Sequence, residues 1–210
     1  MHAQPETPDE ALAELLAGNA RFVAGTPVHP NQDATHRTAV ARLQRPFAVV
    51  FGCSDSRLAA EIIFDRGLGD LFVIRTAGHV IDSAVLATIE YGVAVLNVPL
   101  VVVLGHDSCG AIVATQQALA GAAASPGLGP IVDGVAPSVQ AAAEAQIHNA
   151  DDVAPVHVRR TMDRLVAALG TAVTAGRCRV VGMTYRLTDG RVTVLTTPAA
   201  SPAPPAGSER

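Results

Sequence analysis

Three short apolar runs in this chain contain no polar residue: 47–51 (FAVVF), 71–74 (LFVI) and 100–104 (LVVVL). A strand with one wet face alternates apolar and polar side chains. A strand without alternation is covered on both faces, which is the situation of a parallel sheet between layers of helices. Helical patterns lie between and after the runs, at 59–64, 83–96, 110–120 and 156–175, and this alternation of strand and helix argues for an α/β fold. Two further β-branched segments, 179–183 and 192–195, flank a Thr188-Asp189-Gly190 turn and read as an antiparallel hairpin at the sheet edge. The expected architecture is a mostly parallel central β-sheet, about four parallel strands plus an antiparallel edge strand, flanked by helices.

The N-terminal arm has its own signals. Thr7, Pro8, Asp9 and Glu10 form a capping box with proline at the first helical position. Leu12, Leu15, Leu16, Asn19, Phe22 and Val23 then share one helical face, and Gly25 ends the helix. A short helix is expected at 35–44. The helix at 83–96 has Glu90 as its lone charge and is apolar around most of its circumference, which fits a place deep in the core or at a subunit interface. Residues 121–137, rich in Gly, Ala and Pro, read as a loop. Residues 198–210, a Pro- and Ala-rich tail, read as disordered, so the expected unit is one domain over 1–197 with the helical arm at 7–45.

Composition narrows the class. With 49% apolar and 16% charged residues over 210 positions, the chain has enough apolar surface for a core and is not a disordered polymer. The longest apolar runs fall far short of the ~20 residues of a membrane span. The first residues lack the basic and apolar regions of a secretory signal. A cytoplasmic protein is expected. A net charge of −4 argues against nucleic acid or an anionic membrane as partner.

Chemistry concentrates where two strands end. The run at 47–51 leads straight into Gly52-Cys53-Ser54-Asp55-Ser56-Arg57, and the run at 100–104 into Gly105-His106-Asp107-Ser108-Cys109-Gly110. Ligands of open α/β sheets bind beyond the carboxyl ends of the strands, and right-handed crossovers bring such ends to one rim. Cys53, His106 and Cys109 can therefore converge. Two thiolates and an imidazole suit zinc, and three protein ligands leave the fourth position for water. Asp55 fits either a fourth ligand or a partner for that water, and Arg57 can hold Asp55 through a bidentate pair. Taken singly, a cysteine or an H-x-x-C pair is more often a core feature; together at two strand ends they point to metal. Three cysteines without a secretory signal do not read as a disulfide framework, and Cys178 reads as a core thiol. His79 reads as a hydrogen-bonded loop histidine rather than a proton relay. His2, His29, His36, His148 and His157 read as surface residues, and Asp65, Arg66 and Asp70 as a solvated turn.

The paired motifs Cys53-Ser54-Asp55-Ser56-Arg57 and Gly105-His106-Asp107-Ser108-Cys109-Gly110 resemble those of the β-class carbonic anhydrases. The likeness extends over roughly 8–195 and includes Leu16-Ala17-Gly18-Asn19-Ala20-Arg21-Phe22, Ala60-Glu61, Val73-Ile74-Arg75-Thr76-Ala77-Gly78 and Ile89-Glu90-Tyr91. It implies one Zn2+ per chain on Cys53, His106 and Cys109, an Asp55–Arg57 catalytic dyad, and reversible hydration of CO2 to bicarbonate by zinc-bound hydroxide. It implies that Gln44 hydrogen-bonds substrate across a subunit interface, in a homodimer that can pair into a homotetramer with the N-terminal arm packed on a neighbour. Ala77 and Gly78 are small enough to line a dry CO2 pocket. Some bacterial members hold bicarbonate in a second pocket of Trp, Arg and Tyr; Arg75 and Tyr185 match two of those positions, whereas Val50 stands at the third. A carboxylate two residues from a ligand also allows a pH switch in which Asp55 coordinates zinc and closes the site. The competing readings are a COS or CS2 hydrolase on the same site and a non-catalytic structural zinc protein.

Overall fold

The computed structural model describes residues 4–195 apart from Ala124, so the expectations for His2 and for the tail lie outside the described residues. The three apolar runs become β1 (Ala48–Cys53), β2 (Leu71–Thr76) and β3 (Leu100–His106), followed late in the chain by β4 (Arg179–Tyr185) and β5 (Val192–Leu195). The sheet order is β2-β1-β3-β4-β5, with β5 antiparallel to β4 and all other pairs parallel. This is the mixed α/β architecture expected from the unalternated runs. Every residue of β1 and β3, the two strands at the middle of the chemistry, is buried.

Alternation survives inside those strands as a choice between two cores. Ala48, Val50, Leu100, Val102 and Leu104 pack on one face of the sheet, and Val49, Phe51, Val101 and Val103 on the other. Each such side chain contributes about 1.5–3 kcal/mol when fully buried, so both faces favour the same register.

Seven α-helices cover the sheet among the described residues: α1 (Pro8–Val23), α2 (Ala34–Val40), α3 (Ala60–Ile63), α4 (Ser83–Ala94), α5 (Gly110–Leu119), α6 (Gly129–Glu144) and α7 (Ala150–Thr174). The capping box of α1 forms as read: Glu10 N donates to Thr7 Oγ1 at 3.3 Å and Thr7 N to Glu10 Oε2 at 3.1 Å. Within its own chain, α1 is tied down by buried Asn19, which donates to Ile63 O and Gly190 O and accepts from Val192 N. The helix α4 buries only Val85, Ile89, Gly92 and Val93; Tyr91 and the adjoining Val95 are exposed. No described helix is long and apolar enough to cross a membrane.

Several local expectations change. The segment 121–137 is not all loop: a 3-10 turn (Pro126–Leu128) leads into α6, which buries Val135, Ser138, Val139 and Ala142 on one stripe. The Gly and Pro content masked an i, i+3, i+4, i+7 pattern that tertiary packing rewards. The helix α7 begins well before Val156, because Asn149 caps it by accepting from Asp151 N; Pro155 sits inside the helix rather than at its start. The helix α2 stops at Val40, short of Gln44, and buries none of its residues, so no packing prolongs it. Asp65, Arg66 and Asp70 are not a solvated turn but are buried. Asp65 accepts from Arg21 Nε at 2.6 Å and from the amides of Val28 and His29; Asp70 accepts from Asn31 Nδ2 and Gly67 N; Arg66 pairs with Glu14. Apart from Gly67, these partners come from the N-terminal arm, which covers the turn.

Candidate metal centre

Strand β1 delivers Cys53 and strand β3 delivers His106 to the same rim, since Gly52 and Leu104 are direct neighbours in the parallel ladder. Cys109 follows one turn later. Ser108 adopts a left-handed conformation (φ 51°), which brings Cys109 back to cap the N-terminus of α5. The Sγ atoms of Cys53 and Cys109 and a ring nitrogen of His106 lie within 4.8 Å of one another, and all three residues are buried.

The donor set is prepared for a cation. His106 Nδ1 lies 2.7 Å from the Asp107 carbonyl, an acceptor, so the proton sits on Nδ1 and the Nε2 lone pair is free. That buried Nε2 has no hydrogen-bond partner. The Cys109 thiol donates to the Cys53 sulfur, which favours the Cys53 thiolate and holds the proton on Cys109. Burial disfavours the imidazolium of His106, but the Cys53 thiolate outweighs this and draws its pKa up. Two sulfurs share one proton and a third donor stands free, an arrangement that a soft-ligand divalent ion such as zinc would neutralise. The residues fit the metal that the motif implies.

Around this cluster a set of hydrogen bonds fixes the loops. Gly78 N donates to Cys53 Sγ at 3.3 Å. Gly78 has φ 63°, and a Cβ there would sit 2.8 Å from the Ala111 methyl, so glycine is required. Arg57 grips Asp55 three times: its backbone N and Nε donate to Oδ1, both at 2.9 Å, and Nη2 donates to Oδ2 at 2.7 Å. The Arg57 guanidinium holds the Asp55 carboxyl well below the usual carboxylate range. Arg75 donates Nε to Cys53 O and Nη2 to Asp55 O, so its guanidinium supports the loop that carries the dyad. Asp151 on α7 accepts from Ser108 N at 2.6 Å, and Asp107 accepts from Leu187 N. Sequence reasoning missed the loop-fixing roles of Arg75, Asp107 and Asp151, and nothing in their local spacing announces them.

Other expected residues fall in different places. Ala77 and Gly78 adjoin the cluster in a 3-10 turn after β2. Gln44 is exposed and precedes β1, whereas Cys53 ends it. Val50 is a core residue, with Tyr185 buried in the same cluster. Cys178 is a buried thiol, as expected, and burial pushes it up to about 11. His29 and His148 are exposed and His36 is half-buried, but His157 is not a surface residue: it is 3% exposed and hydrogen-bonded at both nitrogens. His79 is buried with neither nitrogen partnered, contrary to the hydrogen-bonded loop histidine expected. A cavity of about 490 Å³ lies near Arg21, His36, Leu43 and Arg45, and none of Cys53, His106 and Cys109 lines it. A smaller one of about 270 Å³ borders His106, Asp107, Asp151 and Tyr185.

Comparison with known proteins agrees with the geometry. The family model for carbonic anhydrase matches residues 48–192. The carbonic anhydrase of Mycolicibacterium smegmatis is 52% identical over 189 residues, covering 88% of this chain and 92% of that protein. Carbonic anhydrase 2 of Mycobacterium tuberculosis is 52% identical over 188 residues, 88% of this chain and 91% of that one. A tetrameric β-carbonic anhydrase of the ascomycete Sordaria macrospora superposes with a TM-score of 0.71 at 25% identity, over 89% of this chain and 97% of its own. The Coccomyxa β-carbonic anhydrase, solved with acetazolamide, gives 0.67 at 26% identity over 88% and 86%. With the family model spanning both motif loops and the whole sheet core, the chain belongs to the β-carbonic anhydrase family and is an enzyme of that activity.

Proposed function

We propose that Cys53, His106 and Cys109 hold one Zn2+ per chain and that the chain hydrates CO2 reversibly to bicarbonate and a proton. The observation that carries this reading is the convergence of two buried sulfurs on the free Nε2 of His106. Zinc held there supplies a Lewis acid that makes water ionisable near neutral pH. Asp55 is the residue that orients the attacking oxygen. Its Oδ1 already accepts two bonds from Arg57, whereas Oδ2 accepts one and keeps a lone pair for an O–H donor. Arg57 keeps Asp55 ionised, so Oδ2 accepts and does not donate. Arg75, by holding the carbonyls of Cys53 and Asp55, keeps this oxygen aimed. Ala77 and Gly78 leave a small dry space for an apolar substrate, and Gln44 reaches substrate from a second copy of the chain.

The chain functions as a homo-oligomer in the cytoplasm, a dimer that can pair into a tetramer. Leu43, Ile62 and Leu68 are 60%, 63% and 46% exposed, surface that a second copy would cover. In the open state Asp55 stays on Arg57, a pairing that the bonds of Arg57 Nε and Nη2 to its carboxylate support. In the closed one Asp55 turns from Arg57 to the metal at low pH, which X-ray absorption at about pH 6 and about pH 8.5 detects as exchange of a light ligand. Stopped-flow CO2 hydration from about pH 6.5 to about pH 9, with zinc measured on the same sample, tests the whole reading. Activity rising with pH at one zinc per chain is expected. Full zinc without hydration would favour a structural site, and faster turnover of COS or CS2 than of CO2 would reassign the substrate.

A further inference from the structure

Behind the centre runs a chain of buried polar contacts that the reaction does not use. His157, on α7, lies with Nε2 2.7 Å from Gly78 O and Nδ1 2.8 Å from Ser138 Oγ. A carbonyl only accepts, so Nε2 carries the proton, and Nδ1 takes the Ser138 hydroxyl as its donor. Both ring nitrogens are satisfied, and Ser138 and His157 are 2% and 3% exposed. The carbonyl that His157 holds follows the Cα of Gly78, and the N–H on the other side of that Cα, in the preceding peptide unit, donates to Cys53 Sγ. A Cβ on Gly78 would sit 2.8 Å from the Ala111 methyl and 3.1 Å from Val135 Cγ2, so both side chains flank the turn closely.

We propose that His157 is a positioning residue for the metal centre: by anchoring the Gly78 carbonyl it aims the Gly78 N–H at the Cys53 sulfur. The proposal rests on the reading that Cys53 is a metal ligand. A donated N–H offsets part of the thiolate charge, favours the ionised ligand in a buried place and orients its lone pairs. The same helix fixes the other ligand loop, through Asp151 on Ser108 N next to Cys109. Thus α7 clamps both sides of the centre from outside it. Burial lowers the pKa of His157, consistent with a neutral ring that donates from Nε2 alone.

The test compares wild type, His157→Leu and His157→Gln, the last able to donate from its amide to the same carbonyl. Two readouts are taken besides activity: zinc affinity by competition with a chromogenic chelator, and the thiolate-to-metal charge-transfer band of the cobalt(II) form. His157→Leu is expected to weaken zinc by about 10- to 100-fold and to shift the cobalt band, and His157→Gln to restore most of both. A leucine variant that loses thermal stability but keeps wild-type affinity and an unshifted band overturns the proposal. Where the leucine variant does not fold, His157→Asn, too short to reach Gly78, replaces it under the same criteria. Wild-type protein that takes up neither metal overturns the metal-centre reading itself, an outcome distinct from metal bound equally well by all variants.

Discussion

Two buried groups of histidine-bearing residues lie on either side of the Gly78 turn, and each contains an unpartnered imidazole nitrogen. At the rim, His106 leaves Nε2 free while Asp107 O fixes its tautomer. Behind the turn, His79 has neither nitrogen partnered and stacks on His157 at 4.2 Å and edge-on to Phe51 at 6.1 Å. The difference lies in what surrounds the free nitrogen. His106 faces two sulfurs, of which hydrogen bonding favours Cys53 as the thiolate, and a cation there would satisfy all three donors. Around His79 the ring neighbours are an apolar ring and a neutral imidazole whose nitrogens are already engaged. An orphaned buried nitrogen is therefore not in itself a site; convergence with anionic donors of the right softness makes it one.

The comparison breaks most sharply on substitution of the two histidines. His106→Ala is expected to abolish both bound zinc and CO2 hydration, whereas His79→Phe keeps stoichiometric zinc; metal analysis of purified variants decides. If both variants lose metal, His79 belongs to the metal centre as much as His106 does. Next in size, Asp55→Asn should keep zinc but lower turnover by about 10²- to 10⁴-fold, measured by stopped flow on metal-replete protein. Wild-type turnover in that variant would remove Asp55 from the mechanism.

A fourth substitution probes a buried polar group that is fully partnered. Asp65 has a wholly buried carboxylate that accepts from Arg21 and two backbone amides. Asp65→Asn should cost about 1–3 kcal/mol of stability, seen as a lower urea midpoint, with activity per folded molecule unchanged.

The smallest effect is one of pH. Burial holds His79 well below its ordinary 6.5, and burial lowers His157 as well. In the unfolded chain both return to ordinary values and take up protons first. Their contribution to stability is therefore full above pH 6.5 and is lost progressively as pH falls below it, at up to about 1.4 kcal/mol per pH unit for each proton. His79→Phe removes one of these two protons, so its denaturation midpoint should fall less steeply with acid than that of wild type. Equal slopes would show that His79 is not held neutral.

The contrast between the two groups also measures what was legible in the amino-acid order. Cys53, His106 and Cys109 stood out because each follows a strand of a recognisable kind at a position where a parallel sheet exposes its ligands. Asp55 and Arg57 stood out because their partner is two residues away. His157 gave no such signal: its acceptor, Gly78 O, is 79 residues distant, and a single histidine in a helical pattern is ordinarily a surface residue. Asp65, Asp70 and Arg66 misled for the same reason, since charged residues in a turn look solvated until an arm more than thirty positions away covers them. The helix α6 was hidden by its glycines and prolines, whose weak local propensity was overridden by packing of Val135, Val139 and Ala142.

By itself, then, the sequence determined the strand set, the doubly covered parallel sheet, the Cys and His donors at two strand ends and the Asp55–Arg57 pair, because each depends on residues within a few positions of one another or on the period of a single element. Only the tertiary structure decided which His106 nitrogen is free, that His157 lies under the centre rather than on the surface, that Gln44 sits at the far end of β1, and where the buried charges find partners. Those properties depend on which atoms remain unpaired once distant segments close over one another. That is settled by three-dimensional packing and the requirement that buried polar groups be satisfied, which no local pattern encodes.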